Sequence, residues 1–156
     1  MQVADNTGSY LESRCTQAGT KIVVADTPFG KLGLAVCYDL RFPGLFAHMN
    51  ELNQLDVIAL PSAFTHTTGA AHWQSLLSAR AIENQCYLVA ANQTGTHANK
   101  RQTFGHSCII SPWGETLEQI TRQCGIVQSQ LDHTLLTEIR SKMPVYQHNK
   151  FRSRLV

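Results

Sequence analysis

Charged residues and long apolar runs are both scarce in this sequence. Only 15% of the 156 residues are charged, and the formal net charge is +2. No run of Lys and Arg extends beyond Lys100-Arg101, so the basic cluster that binds nucleic acid or an anionic membrane is lacking. No apolar segment approaches the roughly 20 residues of a membrane helix. The first residues have neither a basic region nor an apolar core, so we expect no secretion signal.

The cysteines show no pairing pattern. There are five, an odd number, and no two of them form a Cys-x-x-Cys pair. This argues against a disulfide framework and against a structural zinc site. His97 and His106 belong to no group of His, Cys and Asp with metal-ligand spacing, so we expect neither a metal nor another cofactor. Free thiols suit a reducing cytosol, which predicts a cytoplasmic location.

Residues 30–43 are the segment around which we expect the chain to be organised. The apolar run at 32–36 predicts a buried strand, which stops at Cys37. Pro43 suits the first turn of a following helix. A cysteine between a strand and a helix is placed at the rim of a sheet, where backbone N–H groups can face the group that it attacks. From these residues alone the alternative stays open that Cys37 is a small buried apolar residue.

The remaining apolar periodicity predicts strands that alternate with helices. Helices are predicted at residues 43–53, 71–85 and 134–142, and residues 1–20, 62–69 and 92–101 are predicted as loops. The predicted strands are residues 21–26, 31–36, 55–60, 86–91, 104–110, 116–120 and 125–131. This order is typical of an α/β fold, and the later hairpin strands make its sheet mixed.

Several segments together resemble the nitrilase superfamily of carbon–nitrogen hydrolases. The first is Cys37-Tyr-Asp-Leu-Arg-Phe-Pro43, and the others follow in family order: 61–65, 71–73, 79–84, 105–107 and 112–114. Residues 91–97 and 146–148 are more similar to the branch that hydrolyses deaminated glutathione than to the ω-amidase branch. The resemblance implies the mixed-sheet αββα sandwich of the nitrilase type.

The resemblance also implies an amidase that cleaves a C–N bond through a cysteine thioester. The family uses a Glu base, a Lys that stabilises the oxyanion, a second Glu and a Cys nucleophile, in that chain order. Cys37 matches the nucleophile and Glu12 the second Glu, and the backbone N–H of Tyr38 is implied as an oxyanion contact. The base and the Lys have no counterpart here, so residues 1–156 are expected to be a partial domain that lacks its N-terminal segment.

Two interpretations of function follow from the resemblance. In the first interpretation, the chain is a truncated amidase that hydrolyses a small amide such as deaminated glutathione. Alternatively it is a non-catalytic remnant, for example the product of a disrupted gene, that folds or acts only with a complementary N-terminal piece. The second interpretation predicts an unpaired strand edge and exposed apolar faces. The resemblance implies a homodimer too, which we expect the missing segment to disturb.

Two further residues are candidates for the site. Phe64 and Thr65 follow the end of a predicted strand, where α/β sheets bind their ligands, and we assign them to the substrate pocket. A plain surface loop is the alternative for both. For Glu12, taken without the resemblance, the alternative is a solvated carboxylate.

Two pairs of charged residues are predicted to form ion pairs. Asp39 and Arg41 are close enough in sequence to pair and brace the turn after the cysteine. Arg80 and Glu83 stand three residues apart on a predicted helix and are expected to pair as a structural contact. The family usually has Glu where this chain has Gly44, so a carboxylate near Arg41 is lost.

Overall fold

A six-stranded mixed sheet forms the centre of the fold in the computed structural model, which describes residues 2–5, 8–11 and 14–151. Earlier in the chain than this sheet, β1 (Gln2–Asp5) and β2 (Gly8–Leu11) form a separate antiparallel hairpin. The sheet strands are β3 (Val23–Thr27), β4 (Gly30–Leu34), β5 (Val57–Ser62), β6 (Tyr87–Asn92), β9 (Ser107–Ile110) and β10 (Thr116–Ile120). Their order is β10-β9-β6-β5-β4-β3, with β4, β5 and β6 parallel and the outer pairs antiparallel. The predicted α/β fold with a mixed sheet is confirmed.

Two helices cover one face of this sheet. A parallel step between neighbouring strands needs a crossover, and α1 (Pro43–Asn53) and α2 (His66–Asn84) supply the two. Alternate residues of the strands point toward them and are buried with the helix side chains. This core contains Phe46, Met49, Ile58, Leu60, Trp73, Leu77, Leu88 and Ile110. The helices therefore fix the sheet ends from which the loops of the candidate site emerge.

The opposite face of the sheet is covered at one end only. There α3 (His133–Lys142) packs Leu136 against Val57 and Tyr87, near the amino ends of the parallel strands. Toward their carboxyl ends, Leu34 and Val89 are 44% and 39% exposed. The register places both in one row with Ala59, so an apolar patch crosses the sheet and faces solvent in the described part of the chain.

The sheet ends on one side at β3. Within the described ranges β3 pairs with β4 alone, which leaves its outer edge without a strand partner. Val23 on this strand is half exposed. Unpaired edges of this kind are sites where another strand can add to a sheet.

Several predicted elements have the expected bounds and others differ. The helix at 43–53 and the strand at 116–120 are confirmed residue for residue. The predicted strand at 104–110 is two strands, β8 (Gln102–Phe104) and β9, because Gly105 and His106 adopt positive φ angles of 73° and 61° between them. Strand β8 pairs with β7 (Thr94–Thr96), inside the region predicted as a loop.

Two predictions about the ends of the chain are wrong. Residues 1–20 were expected to be irregular, and they contain the β1–β2 hairpin. Residues 125–131 were expected to form a strand, and they form no strand and are mostly exposed. Because a strand is defined by its partner, an apolar run without a neighbouring edge stays irregular. After α3 the chain forms one short helix, α4 (Val145–His148).

Candidate active site

Cys37 occupies a strained turn at the carboxyl end of β4. It is the first residue of a 3-10 helix, Cys37–Arg41, and its φ is 46°, in the left-handed region. For a residue with a side chain this conformation costs about 1–2 kcal/mol. Asp39 stabilises the turn, because its Oδ2 accepts a 2.8 Å hydrogen bond from the N–H of Val36. A strained, sharp turn from strand to helix is a geometry that exposes a nucleophile at the top of a sheet.

The thiol of Cys37 differs in its surroundings from two other cysteines. Cys37 is partly buried, and no side chain of the described residues makes a hydrogen bond to its sulfur. Cys86 and Cys108 are buried, and burial raises the pKa of each thiol from 9.0 to about 12. These two thiols therefore stay protonated at neutral pH and are poor nucleophiles.

Tyr38 directly follows Cys37, so its backbone N–H belongs to the same turn. Its neighbours are bonded: Asp39 N–H donates to Val36 O at 2.9 Å, and Phe42 N–H donates to Asp39 O at 2.9 Å. For the Tyr38 N–H no acceptor is present within the described ranges. An unoccupied N–H beside the attacking atom is what an oxyanion contact requires, and the role of Tyr38 stays a prediction.

Phe64 lies inside the core rather than on a surface loop. Its ring packs edge-on against Trp73, with centroids 4.8 Å apart, and it is only 5% exposed. The guanidinium of Arg41 lies 5.3 Å from the same ring, so the structure brings Phe64 to the turn that carries Cys37. Its assignment to a substrate pocket remains a prediction.

Thr65 caps the amino end of α2. Its Oγ1 accepts a hydrogen bond from the N–H of Thr68 and so caps α2. Threonine is a good capping residue, and this cap explains why α2 begins at His66 rather than at residue 71 as predicted. The proposed contact of Thr65 with a substrate stays a prediction.

Asn92 is a residue of this region whose role the sequence did not indicate. It is buried at the end of β6, where its Oδ1 accepts from Phe64 N–H at 2.9 Å and its Nδ2 donates to Gly105 O at 2.6 Å. One side chain thus joins three segments at the carboxyl edge of the sheet. The available signal was a polar residue directly after an apolar strand, at the edge where α/β sheets bind ligands.

Comparison with known proteins identifies the family. The family model for carbon-nitrogen hydrolases matches residues 4–141. The chain belongs to the carbon–nitrogen hydrolase family. It is 46% identical over 156 residues to a protein named deaminated glutathione amidase from Yersinia enterocolitica, covering 100% of this chain and 54% of that protein. This carbon–nitrogen hydrolase chain thus spans about half the length of the curated relatives it matches, and the predicted resemblance to this branch is confirmed.

Solved structures support the same placement. The NitFhit protein of Caenorhabditis elegans superposes with a TM-score of 0.89 at 41% identity, over 96% of this chain and 37% of that one. XC1258 from Xanthomonas campestris, described as a CN-hydrolase superfamily protein, superposes with a TM-score of 0.84 at 26% identity, over 93% of this chain and 56% of that one. The expected α/β fold of the nitrilase type, with a mixed sheet, is therefore confirmed for this chain.

The two predicted ion pairs have different outcomes. Arg80 and Glu83 pair at 2.8 Å, as predicted. The predicted pair between Asp39 and Arg41 is wrong, since Asp39 accepts from the N–H of Val36 while Arg41 turns toward Phe64. The Asp39 carboxylate is engaged by a backbone N–H group of its own turn instead of by a cation.

The remaining site predictions have no described counterpart. Glu12, the predicted second Glu, lies outside the described residues. The part of the chain that is described contains no cluster of three or more His, Cys, Asp or Glu side chains suited to a metal ion. In the same ranges, no helix combines the length and the apolar character that crossing a membrane demands.

Proposed function

We propose that this chain is the nucleophile-bearing part of a nitrilase-type amidase. Its substrate would be the amide of a small compound such as deaminated glutathione. The observation that carries the proposal is Cys37, held at positive φ where a parallel strand ends and a helix begins. The similarity to relatives named deaminated glutathione amidase supports the substrate class.

The chemistry would proceed in two steps at Cys37. Its thiolate attacks the amide carbonyl carbon, and the Tyr38 N–H stabilises the oxygen that gains negative charge. The C–N bond breaks as the leaving nitrogen takes up the proton that the Cys37 thiol released, so ammonia departs and a thioester remains on the sulfur. Water then attacks the thioester, which releases the carboxylic acid and restores the thiol.

A direct assay tests the proposal. The purified chain is incubated with deaminated glutathione or with small ω-amides, and released ammonia is measured against a Cys37→Ala control. Ammonia release above the control supports an amidase that is active as this chain. Release equal to the control counts against it.

A second candidate function is that of a piece that acts only with a complementary polypeptide. Two observations favour it: no described residue makes a hydrogen bond to the sulfur of Cys37, and the row of Leu34, Ala59 and Val89 leaves an apolar patch uncovered. Loss of one member of a catalytic unit typically lowers kcat by several orders of magnitude. Co-expression with the remaining half of the Yersinia relative should then restore ammonia release. If co-expression does not increase ammonia release, this second function is contradicted.

We also propose a cytoplasmic location. Cys37, Cys86, Cys108 and Cys124 are free thiols in the structure, and free thiols persist in a reducing compartment. Fractionation of cells that produce the chain, with blotting of each fraction, tests this.

A further inference from the structure

A cavity of about 390 Å³ lies at the end of the sheet opposite to Cys37. The last turns of α1 and α2 line it together with residues of α3 and α4, beside the amino ends of β5 and β6. Its volume is in the range of about 300–1,000 Å³ that small-molecule sites have. The six residues of β5 run from this end to the edge that holds Cys37, a length of roughly 17–20 Å. A molecule in the cavity would therefore not compete with an amide at the thiol.

Arg140 shows which chemistry the groups at this end of the sheet bind. Its guanidinium donates to the carbonyl oxygens of Leu55 and Gln85, which lie at the ends of α1 and α2. It also pairs with Asp56 Oδ1 at 3.3 Å. All three nitrogens of Arg140 are engaged in these contacts. One guanidinium is thus already held by helix-end carbonyls and a carboxylate beside the cavity.

The groups that line the cavity carry more negative than positive charge. Within the described ranges Arg140 is the only basic residue among them, and Asp56 balances it. The last turns of α1 and α2 contain no basic residue to offset the partial negative charge of about half an electron at each helix end. Glu51 adds a carboxylate to the lining, and its Oε2 lies 3.8 Å from Nδ1 of His48. This balance favours a cation.

Backbone acceptors at the end of α1 add to this preference. The last four carbonyls of a helix have no partner inside the helix. The carbonyl of Asn50 accepts from the N–H of Gln54 at 2.7 Å. In the part of the chain that is described, the carbonyls of Leu52 and Asn53 accept no hydrogen bond, and both residues line the cavity. A ligand with several N–H donors would find acceptors here.

Tyr146 adds an aromatic surface to the same cavity. It belongs to α4, and its hydroxyl lies 3.5 Å from the carbonyl oxygen of Glu51. A guanidinium is planar, weakly hydrated and stacks on aromatic rings, whereas an ammonium is a compact and strongly hydrated charge.

We infer that this cavity binds a guanidinium group, held by the carboxylate of Glu51, the carbonyls at the end of α1 and the ring of Tyr146. The ligand class is a small alkylguanidine or an arginine side chain. This site is separate from the turn of Cys37 and does not depend on the proposed amidase function.

Two compounds of the same shape test the inference. The full chain is titrated calorimetrically with n-butylguanidinium and with uncharged n-butylurea, at the same low ionic strength. We expect n-butylguanidinium to bind at least about tenfold more tightly, because charge-assisted hydrogen bonds are about twice as strong as neutral ones. Binding should weaken as salt is added, since the site is open to solvent.

Variants and hydrogen exchange place the ligand in the cavity. Glu51→Gln should weaken binding of n-butylguanidinium about tenfold, because the charged acceptor is lost. Glu118→Gln removes the same charge from an exposed position on β10 and should match the parent within about twofold. In the parent, the ligand should slow hydrogen exchange in peptides that cover 50–54 and 143–148 but not in 37–41. This measurement decides the matter if Glu51→Gln loses the parental circular dichroism.

A further variant separates the two sources of the guanidinium. Arg152 and Arg154 lie outside the described residues and follow α4 in the sequence. A rise of about tenfold in the affinity for n-butylguanidinium when both are changed to Gln would mean that the chain's own arginines compete for the site. An unchanged affinity would assign the site to a ligand from outside the chain.

Three results would overturn the site. These are equal affinities for the two compounds, equal affinities of Glu51→Gln and the parent, and slowed exchange at 37–41 alone. None of these measurements uses turnover, so the presence or absence of ammonia release bears on the proposed function alone.

Discussion

The buried guanidinium of Arg80 donates a hydrogen bond from Nε to the carbonyl oxygen of Leu40, at 3.1 Å. Leu40 belongs to the turn that begins at Cys37 and is fully buried. Helix α2 therefore holds the turn of Cys37 through one side chain 40 residues further along the chain. The same side chain pairs with Glu83, so its geometry is fixed from both ends.

Loss of this contact should destabilise the chain and disturb the turn. In Arg80→Met the buried carbonyl of Leu40 loses its partner, which costs about 1–3 kcal/mol. The free energy of unfolding in urea measures this loss, and the alkylation rate at Cys37 should change with it. Glu83→Gln is the matched control, because Gln still offers the buried Arg80 guanidinium an acceptor and the hydrogen bond to Leu40 is kept, so its loss should be smaller. Equal losses in both variants would contradict the role given to Leu40.

Thiol reactivity should divide the five cysteines into groups. At pH 7.5 in the folded chain, we expect iodoacetamide to modify Cys37 and to spare Cys86 and Cys108, whose pKa values of about 12 leave almost no thiolate. Peptide mass spectrometry after short exposure gives the rate at each position. The exposed residues Cys15 and Cys124 serve as internal references. If Cys37 reacts no faster than they do, the hypothesis of an activated thiol fails for this chain.

The buried thiols also predict a loss of stability in alkali. Folding raises the pKa of Cys86 and Cys108 from 9.0 to about 12, so above pH 9 the unfolded chain releases protons that the folded chain retains. The free energy of unfolding should then be unaffected by these groups below pH 9. Between pH 9 and 12 it should fall by about 1.4 kcal/mol per pH unit for each thiol.

A variant isolates this effect from other groups that titrate in the same range. Cys108→Ala removes one of the two thiols, so its stability should fall less steeply above pH 9 than that of the parent. Urea unfolding at pH 8, 9 and 10 provides the comparison. Parallel curves for the two proteins would show that the folded-state pKa of Cys108 is not raised.

Local signals explain which parts of the fold could be predicted. The helix at 43–53 has a clear start, because Pro43 suits a first turn, and a clear apolar period. Residues 125–131 show the limit of such signals. Their apolar pattern is compatible with a strand, yet Ile126 is 91% exposed because no strand edge lies beside it. Pairing depends on distant residues, which a local pattern does not contain.

In the candidate site, too, local signals were predictable from the sequence and long-range contacts were not. The order of strand, turn and helix around Cys37 made it a candidate, and the family resemblance then assigned it the nucleophile position. The contacts that support it, from Arg80 to Leu40 and from Asn92 to Phe64, join residues 40 and 28 positions apart. Nothing in the local sequence marks such partners, since a polar residue in an apolar segment has many possible acceptors. They become visible only when the fold brings the segments together.

Asn92 should be as important for the edge of the sheet as Arg80 is for the turn. Asn92→Leu is close in size but removes both the acceptor for Phe64 N–H and the donor to Gly105 O, which leaves two buried backbone groups unpaired. At about 1–3 kcal/mol for each group, the free energy of unfolding should fall by roughly 2–6 kcal/mol. Gln93→Leu alters the exposed neighbour on the same strand end and should change it by less than about 0.5 kcal/mol. A loss in Asn92→Leu as small as in Gln93→Leu would mean that water replaces the two hydrogen bonds, and that Asn92 does not hold the segment of Phe64.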